Sequence, residues 1–115
     1  MADGDDFELN WSTQLRKGTL ELCVLNALGA RRLYGYELVR TLGTIDSLVI
    51  SEGTVYPILS RLKREGFITS SIEESPDGPA RKYYDLTPKG RQQLRRMNDY
   101  WKRLQSGVQS LRQGS

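Results

Sequence analysis

A mainly α fold carrying one small β-hairpin is expected of this 115-residue chain, on three features of the sequence. Apolar residues recur at helical spacing through most of residues 12–65, with glycines punctuating them at Gly29, Gly43 and Gly66. Two stretches of period-two alternation, 67–74 and RKYYDL, flank the turn-dense segment SPDGPA. Beyond Thr87 the pattern is helical again and continues to about Leu111.

Each element has its own reason. The first ten or so residues carry Asp3, Asp5, Asp6 and Glu8 without a basic residue, and residues 1–11 are expected to be an acidic, mobile N-terminus. From Ser12 a helix follows in which Leu20, Leu22, Cys23, Val24, Leu25, Ala27 and Leu28 crowd together. A helix apolar on most sides is buried at a centre. Gly29 is its expected stop, and Cys23 reads as core filler. A short helix over 35–42 turns Leu38, Val39 and Leu42 inward and breaks at Gly43, and TIDSLVI is a linker with some buried side chains. Ser51 is a natural cap for a third helix, in which Val55, Ile58, Leu59 and Leu62 form one stripe and Gly66 the stop. In the hairpin, Ile68 and Ile72 share one face, as do Tyr84 and Leu86. Thr87-Pro88 is a cap followed by proline at the first helical position. Three helices and a hairpin make a winged helix-turn-helix domain over 12–86, followed by a dimerisation helix over 87–112 and a tail over 113–115.

Composition excludes more than it assigns. The single cysteine and the absence of histidine rule out an intrachain disulfide and a cysteine–histidine metal site. With no histidine, no paired carboxylates at a turn and no phosphate-cradling glycine loop, an enzyme is not expected, nor a cofactor or a bound metal. No apolar run approaches a membrane span, and the acidic start is unlike a signal peptide, so the expected location is cytoplasmic. The net charge of +3 is unevenly spread: Lys89, Arg91, Arg95, Arg96, Lys102, Arg103 and Arg112 stand against Asp99 alone in residues 87–115. Such segregation suits an anionic partner, or simply a solvated helix face.

The segments KGTLELCVLNAL (17–28), LYGYEL (33–38), SEGTVYPILSRLKREGFI (51–68) and RKYYDLTPKGR (81–91), with the region of Trp101, resemble PadR-like transcriptional regulators. The likeness covers roughly residues 15–105 in the expected order, and the single C-terminal helix is similar to the family's shorter subgroup. The resemblance implies a dimeric DNA-binding repressor whose affinity is set by a small molecule.

The outward face of the third helix carries Glu52, Gly53, Thr54, Tyr56, Pro57, Ser60, Arg61, Lys63 and Arg64. In a winged helix this element enters the major groove. Gly53 lets backbone approach DNA, Thr54, Tyr56 and Ser60 offer hydroxyls, and Arg61 reaches phosphate or the guanine edge. Pro57, expected at about the end of the first turn, either stiffens the helix start or presents an apolar plate to a thymine methyl. Tyr56 either contacts DNA or packs under the second helix. Arg81 and Lys82 of the wing are candidates for the minor groove or its phosphates. Tyr36, at the start of the second helix, is a candidate phosphate contact, as are Arg16 and Lys17, and all three serve equally as plain surface.

Leu94, Met97, Trp101, Leu104, Val108 and Leu111, spaced 3, 4, 3, 4 and 3, form an a/d seam. The domain is complete without this helix, so the seam calls for a second copy, and Trp11 is expected to pack across the same interface. A two-fold dimer presents two recognition helices to an inverted-repeat operator. Trp101 is oversized for a two-stranded seam. It is either packing or, with Tyr100 and by likeness to relatives that stack flat ligands on a tryptophan of this helix, the platform for a planar aromatic effector. A winged helix also serves as a protein–protein or RNA module. Salt-dependent binding to duplex DNA separates these readings.

Overall fold

The computed structural model describes residues 8–45 and 50–114. Asp3, Asp5 and Asp6 of the expected N-terminal tail and residues 46–49 of the expected linker lie outside the described residues. Four helices, α1 (Thr13–Ala30), α2 (Gly35–Gly43), α3 (Glu52–Arg64) and α4 (Pro88–Arg112), combine with strands β1 (Leu33–Tyr34), β2 (Ile68–Ser75) and β3 (Gly78–Leu86).

Residues 8–11 of the expected N-terminal tail are helical. A π-helical turn, Glu8–Ser12, leads directly into α1. Adding residues to an existing helix is far cheaper than nucleating one, so the chain continues the helix backwards beyond Ser12. At the other end Gly29 does not stop α1, which runs on through Ala30 to an extended Arg31. Gly29 lies inside the helix, and a Cβ built on it would stand 2.9 Å from Leu94 Cδ2. The glycine is there for close approach of α4.

The core is one cluster. Leu20, Val24, Leu25 and Leu28 of α1 meet Leu38 and Leu42 of α2, Val55, Leu59 and Leu62 of α3, and Leu33, Ile68, Tyr84 and Leu86 of the sheet. Val39, Ile58 and Cys23 are half-buried against it, and burial raises the Cys23 thiol above its ordinary range. Of the described linker residues, Ile50 packs on the core and Ile45 is exposed.

The end of α3 has the geometry that Gly66 foreshadows. The Phe67 N–H donates to the Leu62 carbonyl at 3.0 Å and the Gly66 N–H to the Lys63 carbonyl at 3.1 Å, with Gly66 at φ +83°. This double closure requires a left-handed residue, which glycine adopts freely.

Three strands, not two, form the sheet, in the order β1-β3-β2. β1 joins through Leu33↔Tyr84 and Tyr34↔Tyr83. Two residues carry no alternation, so nothing local announces this strand. In the hairpin Ile68 opposes Leu86 and both are buried. Ile72 shares their face, as expected, and is 71% exposed. By Ile72↔Lys82 the hairpin has run past the edge of the core and projects as a wing.

α4 begins as its sequence implies, with the Thr87 hydroxyl accepting the Gly90 N–H at 2.9 Å. The domain is not complete without this helix, however. Leu94 and Met97 pack on the core of their own chain, and the Asn26 and Asn98 side-chain amides exchange hydrogen bonds of 3.1 and 3.0 Å between α1 and α4. The seam is therefore divided. Its first part is covered within the chain, whereas Leu104, Val108 and Leu111 are exposed. No helix among the described residues is long and apolar enough to cross a membrane.

Candidate nucleic-acid interface

Helix α3 buries Val55, Leu59 and Leu62. At about 100° per residue the opposite ridge is Gly53, Pro57, Ser60 and Arg64, all of them exposed. Thr54 and Arg61 flank this ridge on one side, and Tyr56 and Lys63 on the other.

Ser51 caps α3 through its carbonyl, which accepts the N–H groups of Thr54 and Val55 at 3.1 Å each. Its hydroxyl shares a 3.2 Å hydrogen bond with the Thr54 hydroxyl and makes no cap of its own. Because the helix starts at Glu52, Pro57 is its sixth residue, in the second turn and not at the end of the first. One intrahelical hydrogen bond, to the Gly53 carbonyl, is absent. Gly53 is exposed, so that carbonyl stays open to solvent or to a partner, and the proline ring stands on the outermost ridge.

The two flanks are fixed differently. On the α1 side the Arg61 guanidinium donates to Glu21 in a short contact and to Glu65 at 3.2 Å. The Glu21 hydrogen bond is also the main reason that Arg61 holds its proton still more firmly than an ordinary arginine. On the α2 side the Tyr56 ring lies against Gly35, where an added Cβ would overlap the phenol oxygen and stand 2.8 Å from Cε1. Of its two expected roles Tyr56 fills the packing one, at the start of α2, and it remains 38% exposed beside the ridge. Gly35→Ala should therefore drive Tyr56 outward, at about 1–2 kcal/mol. The expected result is a lower melting temperature together with weaker DNA binding, while Tyr56→Phe keeps the packing and melts close to the parent.

Lys63 and Arg64 are exposed and have no ion-pair partner among the described residues. Tyr36 is 54% exposed, with Arg40 Cζ 5.8 Å from its ring centre.

The wing separates its two candidate cations. Arg81 stacks on Tyr34 at 4.5 Å, and Tyr34 meets Tyr83 edge-on at 5.5 Å. Arg32 covers Tyr83 at 4.3 Å and grips Glu73 through both terminal guanidinium nitrogens. That pairing holds the Glu73 carboxylate below its usual range. Both cations are exposed, but Arg81 braces the wing through Tyr34 whereas Lys82 pairs with Ile72 on the other face.

The first turn of α4 grips the far end of α3. Lys89 Nζ donates to the Glu65 carbonyl at 2.8 Å and sits 4.9 Å from the Phe67 ring centre. Thr87 gives its hydroxyl to the Gly66 carbonyl at 2.6 Å and its N–H to that of Phe67 at 3.1 Å. Glu21, Arg32, Gly35, Glu73, Lys89 and Gly90 are structural partners of the site, a role that sequence reasoning gave to none of them.

Two apolar grooves run between α1 and α4 on either side of the half-buried Trp101. One, of about 360 Å³, is lined by Leu15, Leu22, Tyr100, Trp101 and Leu104 among others. The other, of about 600 Å³, reaches Cys23, Ala27 and Ile45. Trp11, expected at the same interface, is 57% exposed in the single chain, and Tyr100 is 65% exposed.

Residues 24–96 match the sequence model of the transcriptional regulator PadR-like family. A PadR-like transcriptional regulator of Bacillus cereus is 38% identical and superposes with a TM-score of 0.81 over 89% of this chain and 99% of its own. A PadR family transcriptional regulator of Eggerthella lenta is 33% identical, with a TM-score of 0.83 over 96% of both chains. A transcriptional regulator of Mycobacterium tuberculosis is 31% identical over 70% of this chain and 74% of its own length. The family comprises regulators of transcription and not enzymes. A winged helix-turn-helix with this recognition helix, this wing and these relatives is a member of the PadR-like family of transcriptional regulators.

Proposed function

We propose that the chain acts as a homodimeric repressor that binds an inverted-repeat operator through α3 of each copy. The observation that carries this reading is the ridge Gly53, Pro57, Ser60 and Arg64, with exposed Lys63 beside it, directly opposite the buried stripe of α3. Hydroxyl, guanidinium and ammonium groups turned to solvent on a rigid helix suit base edges and phosphates. Thr54, Tyr56, Lys82 and Tyr36 extend the surface at its margins. Trp11, Leu104, Val108 and Leu111 join the grooves beside Trp101 as the face for a second copy, with Leu94 and Met97 at its inner edge. A two-fold dimer sets its half-sites about 34 Å apart. Occupancy of an operator overlapping a promoter blocks transcription without any further surface.

Trp101 between two grooves also supports an effector role, with Tyr100 at the rim, for a planar aromatic molecule that gains stacking and buried area. Trp11 and Trp101 are the two tryptophans, so Trp11→Phe leaves Trp101 as the only indole emitter. Titration of that variant with planar compounds reads the site directly.

The operator reading is tested by selecting bound duplexes from a random pool. The expected outcome is an inverted repeat whose affinity falls steeply with salt, as counterion release requires. Equal binding to all duplexes, or a preference for RNA, would replace the operator reading with that of a non-specific interaction module.

A further inference from the structure

The proposed function turns the cations of α3 toward DNA, and Arg61 departs from that pattern. It stands on the flank of the helix, not on its ridge, and its guanidinium is shared between Glu21 of α1 and Glu65, the residue that ends α3. The Glu21 side chain is 26% exposed and that of Arg61 38%. To reach a phosphate, Arg61 would have to leave both carboxylates and strand Glu21 without a partner in a half-buried place, which is unfavourable.

We propose that Arg61 is a positioning residue that sets the roll of recognition helix α3 against α1 through Glu21, and that it does not itself read DNA. The need for such a residue follows from the packing. Val55, Leu59 and Leu62 anchor α3 by apolar contact, which is strong but non-directional, and so allows the helix to roll about its own axis. Directional contacts stop the roll at both flanks: the Glu21–Arg61 pair on one and Tyr56 against Gly35 on the other. Glu65 joins the first of these to α4, because its carboxylate accepts from Arg61 while its carbonyl accepts from Lys89. Hydrogen bonds to base edges weaken steeply with misalignment, so a rolled helix loses operator contacts while keeping its charge near the phosphates.

The assignment rests on the reading that α3 enters DNA, and the sign of one effect tests it. Glu21→Gln keeps the shape of the side chain and removes its charge. If Arg61 positions α3, Glu21→Gln weakens operator binding by about three- to tenfold, as expected for a charged hydrogen-bonded pair. Binding to random duplex then stays unchanged. Arg61→Met has the same effect, the double variant is no weaker than the weaker single, and the slope of log affinity against log salt is that of the parent. If Arg61 instead contacts DNA, Glu21→Gln frees a cation and strengthens binding, and Arg61→Met lowers the salt slope by about one contact. Either of those results overturns the assignment, as does a Glu21→Gln variant that binds like the parent. Melting curves of all three variants establish that folding is intact. A parent chain that fails to distinguish duplex sequences overturns the operator reading and this assignment with it, whereas a discriminating parent with strengthened Glu21→Gln overturns the assignment alone.

Discussion

Gly90→Ala is expected to lower the melting temperature by about 10 °C or more, at a cost of about 3 kcal/mol, the upper end for forced overpacking. The reason lies in the junction between α3 and α4. A Cβ on Gly90 would overlap the Phe67 carbonyl oxygen and stand 2.9 Å from its carbonyl carbon. Those are backbone atoms, so no rotamer change relieves the overlap. The same carbonyl accepts the Thr87 N–H, and the Gly90 N–H is spent on the Thr87 hydroxyl, so the first turn of α4 has little room to retreat. The control is Gly107→Ala on the same helix, where an added Cβ meets nothing within 4 Å. There the substitution should stabilise the helix by about 0.5–1 kcal/mol, since alanine loses less backbone freedom than glycine. Differential scanning calorimetry of the parent and the two variants reads both effects, and a Gly90→Ala chain melting like the parent would refute the close approach of α4 to Phe67.

Leu104→Glu combined with Val108→Glu should give a folded monomer whose operator affinity has dropped by at least about a hundredfold, because the second half-site is no longer tethered at high effective concentration. Each of the two residues is 50% exposed in the single chain, so a charge there costs the domain little, whereas in a dimer seam it must be desolvated. Sedimentation shows the loss of dimer, circular dichroism the retained helices, and gel shift the lost binding. A doubly substituted chain that still sediments as a dimer would move the interface elsewhere. Leu94 is the wrong residue for this experiment, although it belongs to the same heptad pattern. It packs on the core of its own chain and against Gly29, so Leu94→Glu would destabilise the domain, and any loss of DNA binding would report unfolding.

Leu94 marks the boundary of what periodicity conveys. The 3-4 spacing of Leu94, Met97, Trp101, Leu104, Val108 and Leu111 shows that one face of α4 is apolar, and the structure agrees that it is one face. Spacing is silent on what covers a face. Here the chain covers the first part of it with α1, and the rest, Leu104, Val108 and Leu111, is exposed. The same distinction holds at Gly29 and Gly90. Both were visible as glycines near helix ends, and one was read as a stop. Their role is close approach to Leu94 and Phe67, partners far away in the sequence, so no local pattern could have indicated it.

The elements themselves were legible because their causes are local. Val55, Leu59 and Leu62 repeat at helical spacing, Gly66 permits a left-handed stop, Thr87-Pro88 opens a helix, and alternation around a turn makes a hairpin. Each depends on a few neighbouring residues, and so the order of helices, hairpin and long helix followed from the chain alone, as did the outward ridge of α3. β1 escaped because a two-residue strand exists only by pairing with β3. Arg61 escaped for a related reason. Its position on α3 placed it outside the buried stripe, which is as far as a helical period of 3.6 residues can resolve a flank. Whether that flank meets solvent, DNA or a carboxylate depends on Glu21, forty positions away and brought near by the packing of α3 on α1. Local hydrogen bonding and hydrophobic spacing thus decide which segments are helices and which sides are apolar. The partner of each polar side chain is decided by distances that exist only once those segments have packed.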